Sequence, residues 1–285
     1  MRFPHVARLM ILSAGLFATV RQTEAADCIS GRVDYDKWGH EVAALSLAAD
    51  AKQVCGALAI RVRARDDSRL SVNVFATYPE FENPQGPAER RYNEWIGGVV
   101  ATMDFDRPIT LLENEKIEDV LVLTSIYRSR RLISAAYDRW LCCGAHGISA
   151  GGSINIDATS GIIVSPQDLF SLPAVANQCW RQFAAQRGPI DGQGELFRQD
   201  YPMDRPFSDK DFESDPVRGP LQPSVEKTVR LFHATLKRSS NWTFRDRGAD
   251  VEFGMLLGYV GANFNCALDN GTLKPLAQPG VAVPP

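Results

Sequence analysis

The chain has 285 residues, 45% apolar and 23% charged, the balance of an ordinary globular protein. Its formal charge of −3 sets 31 Lys and Arg against 34 Asp and Glu, so it offers no basic footprint for nucleic acid or an anionic membrane surface. All 6 cysteines follow residue 26, an even number that fits pairing in an oxidising compartment and leaves the connectivity open.

Residues 1–26 read as a secretory signal peptide. Arg2 and Arg8 precede the apolar run Leu9–Val20, and small residues offer cleavage after Ala25 or Ala26. That run is short for a permanent anchor, and no later stretch approaches the roughly 18 to 20 apolar residues of a membrane helix. The expectation is an exported chain, periplasmic or extracellular, with no membrane span once the leader is gone.

Next, Glu41–Val54 suggests a short helix. Leu58, Ile60 and Val62 alternate with Arg61 and Arg63, and Leu70, Val72 and Val74 repeat the pattern after the turn-forming "DDS", which predicts an antiparallel hairpin. A loop follows at Asn83–Pro87. Tyr92, Trp95, Ile96, Val99, Val100 and Met103 then recur at helical spacing, the stripe of an amphipathic helix of about four turns lying on the sheet.

Asp119–Ser129 and Arg131–Cys143 predict a second strand pair, and Ile154 and Ile156 alternate before a turn at Asp157–Gly161. Ser165, Pro166 and Asp168 are helix-start residues, Ser165 as a cap and Pro166 at the first helical position. A helix over Ala174–Gln186 carries Cys179. Gly188–Pro223 is rich in Gly, Pro and Asp without periodicity and reads as a long loop. Val225, Val229, Phe232 and Leu236 line a further helix, and Asn241–Phe253 holds two short strands about a turn at Arg247–Gly248. Residues 277–285 read as a flexible tail. Strand pairs interleaved with separate helices predict the α+β class, an antiparallel β-sheet with helices packed on it. The domain runs over 27–276, either undivided or split into 27–140 and 141–276.

Chemistry is invited by "CCGAHG" (Cys142–Gly147). A structural zinc site needs four ligands, and neighbouring residues of a strand point to opposite faces, so Cys142 and Cys143 do not chelate one ion together. His40 and His233 stand in no metal-binding spacing. The reading is no metal and no cofactor. A Cys–His nucleophile requires a free thiolate, which export and an even cysteine count argue against. Cys28, Cys55, Cys142, Cys143, Cys179 and Cys266 are therefore the disulfide candidates. His146 with Asp157 or Asp168 leaves a general-base reading open.

The order of short motifs resembles the extracytoplasmic domain shared by RsiV, a lysozyme-sensing anti-sigma factor, and the N-terminal half of PdaC-type peptidoglycan deacetylases. The motifs are "TYPEF" (Thr77–Phe81), "YNEWI" (Tyr92–Ile96), "CGAHG" (Cys143–Gly147), "NIDATSG" (Asn155–Gly161), "QDLF" (Gln167–Phe170) and "RGADVEFGMLLGYVG" (Arg247–Gly261). Cys143 departs from the usual glycine, and the Gly188–Pro223 stretch is unusually proline-rich. Neither a sigma-binding segment nor a deacetylase domain is legible beside these motifs. The resemblance thus implies a non-catalytic periplasmic or cell-envelope binding protein whose partner is a lysozyme-type muramidase or peptidoglycan glycan. It also implies that His146 sits at a strand-to-strand turn, and that Gly144, His146 and Asp157 are binding-site candidates. The alternative is an envelope glycan hydrolase centred on His146.

Overall fold

The computed structural model describes residues 25–35, 41–48, 54–67, 72–103, 105–106, 117–143, 146–186, 233–253 and 264–278. Its largest sheet contains β4 (Leu58–Asp67), β5 (Val72–Phe81), β6 (Ile117–Ser129), β7 (Leu132–Cys143) and β8 (His146–Asp157), in that order. A short strand, β1 (Ala25–Asp27), pairs with the end of β6 that β5 does not reach. Two more strands, β2 (Ile29–Tyr35) and β3 (Glu41–Leu47), form a hairpin.

The fold is α+β, as the alternation of strand pairs and helices implied. All the pairings are antiparallel except β5 with β6, which run parallel. The reason is the helix between them, α1 (Pro87–Ala101), which carries the chain back to the starting end of the sheet. The helix expected near Glu41–Val54 is a strand over its first half. Its Ala- and Leu-rich composition favours helix only mildly, and seven residues of register with β2 outweigh that preference.

Alternation sorts the two faces of the large sheet. Val74, Ala76, Leu121, Leu123, Ile133 and Ile154 point toward α1, where Tyr92, Ile96 and Val100 meet them. Two motif residues of α1 fasten it there. The Tyr92 hydroxyl donates to the Pro79 carbonyl at 2.8 Å, and Asn93 grips the backbone of Phe81, accepting from its N–H at 3.0 Å and donating to its carbonyl at 2.8 Å. Arg128 adds a largely buried ion pair with Glu89 at 2.6 Å and donates to the Cys55 carbonyl, beside the Cys28–Cys55 disulfide.

The other face meets a second unit. It begins with a one-turn helix α2 (Pro166–Leu169) and α3 (Leu172–Gln186). Pro166 takes the first helical position, but the Ser165 hydroxyl makes no cap bond. A helical turn at 233–237 and a 3₁₀ turn at Ser239–Asn241 lead into a three-stranded sheet of β9 (Trp242–Arg245), β10 (Gly248–Phe253) and β11 (Phe264–Asp269), ordered β11-β10-β9. The β9–β10 turn is Asp246–Arg247, one residue earlier than the sequence suggested, because Gly248 already pairs with Arg245. Trp242, Phe244, Val251, Phe253 and Leu268 form the apolar face of this sheet, packed on Val175, Ala176 and Trp180 of α3 and stapled by the Cys179–Cys266 disulfide.

A helix over Leu172–Gln186 carrying Cys179 agrees with the sequence reading. Of the helix expected around Val225–Leu236, only 233–237 lies within the described residues, and the Gly188–Pro223 stretch lies outside them. Near the end of the described part α4 (Asn270–Leu273) runs into a 3₁₀ turn at Lys274–Leu276. Of the tail, Ala277 and Gln278 still bond the body of the domain, and 279–285 fall outside the described residues. No helix among the described residues is long and apolar enough to cross a membrane.

Candidate functional site

The "NIDATSG" motif is built into the joint between the two sheets. The Asn155 side chain is buried. It accepts from the Ser134 hydroxyl at 2.6 Å and donates to the carbonyls of Trp242 at 2.7 Å and Ser239 at 2.8 Å. Ser134 in turn accepts from the Phe244 N–H at 2.8 Å, and the Ser153 hydroxyl donates to Trp242 at 2.6 Å. Asp157, a binding candidate from the sequence, spends one carboxylate oxygen on its own turn. That oxygen accepts from the backbone N–H of Ser160 at 2.7 Å and of Thr159 at 3.1 Å, and from the Ser160 hydroxyl at 2.8 Å. These donors favour the charged form and hold the carboxyl below its ordinary range. Gly161 completes the turn at φ +75°, where a Cβ would lie 2.9 Å from Pro87.

His146 opens β8 opposite Cys143, leaving two residues between the strands. Its side chain, those of Cys142 and Cys143, and Gly144 lie outside the described residues. Among the described residues the structure assigns four of the six disulfide candidates, as Cys28–Cys55 and Cys179–Cys266.

A cleft of ≈ 290 Å³ opens where the two sheets diverge beyond the Asn155 joint. Alternation explains its lining. On β7 and β8 the residues that share a face with Ser134 and Asn155 continue as Ala136, Asp138 and Ser153, with Gly151 paired to Asp138. On the small sheet the apolar residues face α3, so the polar set Thr243, Arg245, Asp250, Glu252 and Asn265 faces the cleft. Ser240 and Asn241 of the 3₁₀ turn close one end.

Two groups of charge stand in this cleft. Arg245 Nε is bound to Asp250 Oδ2 at 2.8 Å, a neutralised pair on the small sheet. Asp138 and Glu252 have no hydrogen bond or ion pair among the described residues. Each keeps part of its surface in solvent, yet the surrounding walls desolvate it enough to push its carboxyl above the ordinary range. Arg245 opposes the rise at Asp138, and the neighbouring Asp138 charge adds to it at Glu252. A Cβ at Gly151 would sit 3.3 Å from Asp138 Oδ1 and 3.7 Å from Glu252 Oε2. The two oxygens are thus no more than about 7 Å apart, since both lie close to one point.

No group of three or more His, Cys, Asp or Glu among the described residues could hold a metal ion. His146 is five residues up β8 from Gly151, roughly 16 Å at strand spacing.

The sequence reading missed Asp138 and Glu252. The former was visible as a carboxylate on the same strand face as Ser134 and Ala136. Nothing local linked it to a glutamate on a strand more than a hundred residues away.

No known family profile matches the chain, and no curated protein matches it. Among solved structures, the chain is similar to a DUF3298 family protein from Pseudomonas aeruginosa PAO1, at 13% identity and a TM-score of 0.43, covering 78% of this chain and 93% of that one. It is also similar to a member of the same family from Bacteroides fragilis, at 10% identity and a TM-score of 0.41, covering 90% and 93%.

Proposed function

We propose that the protein is an exported, non-catalytic binding protein of the bacterial cell envelope, and that the cleft between its sheets receives a peptidoglycan-derived glycan fragment. The observation that carries this reading is the lining of the cleft: hydroxyls, side-chain amides and carboxylates converge on one concavity, the complement of a ligand rich in hydroxyl and amide groups. Its ≈ 290 Å³ lies at the small end of ligand pockets, which run roughly 300 to 1,000 Å³, and suits one or two sugar units rather than a long strand.

The non-catalytic part rests on the motif resemblance alone, and Asp138 and Glu252 are taken as groups that contact the ligand. The export part rests on the two disulfides, which persist in oxidising compartments. A lysozyme-type muramidase, the other partner that the resemblance implies, needs a face of about 800 Å² per partner, and the cleft alone does not supply one.

Isothermal titration of the protein with soluble peptidoglycan glycan fragments tests the reading. Weak saturable binding is expected, reduced at least fivefold in Asn241→Ala and Asn265→Ala. No binding at millimolar fragment, together with capture of a lysozyme-type muramidase by the same protein, would replace the glycan reading with the protein one.

A further inference from the structure

We infer that the cleft selects ligands bearing a primary ammonium group, seated between the carboxylates of Asp138 and Glu252. This rests on the cleft being the binding site, and three separate features of the cleft support it.

The first is how the charges are sorted. The lone cation of the lining, Arg245, is committed to Asp250 at 2.8 Å and only tempers the charge of Asp138, so neither carboxylate of the opposite pair has an ion-pair partner among the described residues. Asp138 projects from the large sheet and Glu252 from the small one, so bringing them together is a product of the whole fold and not of one acidic stretch.

The second is the glycine at 151. In the interior of a twelve-residue strand a glycine forgoes packing, and such positions often mark a close approach by a ligand. Here the missing side chain would have stood 3.3 Å from one carboxylate and 3.7 Å from the other, so its absence keeps open the space that both oxygens face. An N–H···O contact is about 2.8 to 3.0 Å. A single nitrogen bonded to both oxygens needs them within about 6 Å of each other, a separation that the upper bound of about 7 Å admits.

The third is that this gap opens into a concavity already lined with neutral donors and acceptors for the rest of a ligand.

The chemistry then discriminates among cations. An ammonium is compact and carries three donors that can reach two acceptors from different directions, whereas a guanidinium is matched to both oxygens of one carboxylate. A calcium ion takes six to eight oxygen ligands, and no group of three or more His, Cys, Asp or Glu among the described residues is placed to hold a metal ion. A neutral hydroxyl leaves the charge uncompensated. The ammonium comes from either an amino sugar or an amino-acid side chain.

The experiment is titration of the full chain at pH 6 with the trimers of glucosamine and of N-acetylglucosamine, which differ in the ammonium, and with a lysine-bearing tripeptide and its Nε-acetyl form. The inference expects the glucosamine trimer to bind at least tenfold more tightly than the acetylated one. The difference should disappear in Glu252→Gln and Asp138→Asn, each checked for cooperative thermal unfolding with a Tm no lower than wild type. Equal affinity for the two trimers overturns the ammonium inference and leaves the glycan reading standing. Binding of the tripeptide alone, lost on Nε-acetylation and in both variants, upholds the ammonium site and removes the glycan reading. Loss of both trimers in the variants marks cleft shape rather than charge and overturns the inference, as does failure of every amine to bind.

Discussion

Truncating Asn155 to alanine should separate the two sheets energetically while leaving each intact. The side chain is 1% exposed and makes three contacts of 2.6 to 2.8 Å, with Ser134, Trp242 and Ser239. After truncation the Trp242 carbonyl still receives the Ser153 hydroxyl at 2.6 Å, so its loss is small. The Ser239 carbonyl keeps the Trp242 N–H and a 3.4 Å contact from Ser153, whereas the Ser134 hydroxyl loses its acceptor although its oxygen still receives the Phe244 N–H. One buried donor is thus left unpaired, at about 1 to 3 kcal/mol. A loss of about 2 kcal/mol is expected. For a domain of this size it lowers Tm by about 4 to 8 °C. Urea unfolding under oxidising conditions, followed by circular dichroism and tryptophan fluorescence, measures it, and a double-mutant cycle with Ser134→Ala should show coupling between the two residues. A loss below about 1 kcal/mol would refute the claim that this asparagine holds the joint.

Other outcomes follow from the same structure. Replacing Cys179 and Cys266 by alanine releases a closure of 87 residues, and replacing Cys28 and Cys55 releases one of 27. Chain-entropy reasoning gives about 4.6 and about 3.6 kcal/mol, so chemical denaturation should find the first variant the less stable; the reverse order would count against that reasoning. Gly161→Ala forces a Cβ against Pro87 at positive φ and should cost about 2 kcal/mol, and unchanged stability would mean that the turn relaxes freely. Glu252 sits among Asp138, Asp250 and Arg245, and its folded-state pKa is raised. Its stabilising contribution is therefore complete below the ordinary carboxylate range and is lost as pH rises past it. Glu252→Gln should raise Tm relative to wild type at pH 7 and leave it unchanged at pH 4, and a difference that grows on acidification would reverse the assignment.

Much of the fold was legible because it follows local periodicity. The hairpin of β4 and β5, the stripe on α1, the β6–β7 pair and the helix carrying Cys179 all declare themselves within a dozen residues. Where the sequence misled, a longer-range partner decided. Glu41–Leu47 has helix-favouring residues and becomes a strand because Ile29–Tyr35 lies beside it. Phe264, Cys266 and Leu268 do alternate, but six residues carry too short a pattern to announce β11, whose place is set by β10 and by the disulfide to Cys179. The motifs that looked chemical divide similarly. Asn93, Asn155, Asp157 and Gly161 bind or accommodate backbone, which explains why such residues occur at fixed spacing without performing a reaction. The cleft was invisible because its two unpaired carboxylates belong to different sheets and meet only after both have formed.

The most direct test of the central claim is ¹⁵N chemical-shift mapping of the protein during titration with a soluble peptidoglycan glycan fragment. The account predicts shifts concentrated on β7 and β8 around Asp138 and Gly151, on β9 and β10 around Arg245 and Glu252, and at Ser240 and Asn241. Shifts confined to the β4 edge or to α1, or none at saturating fragment, would contradict it.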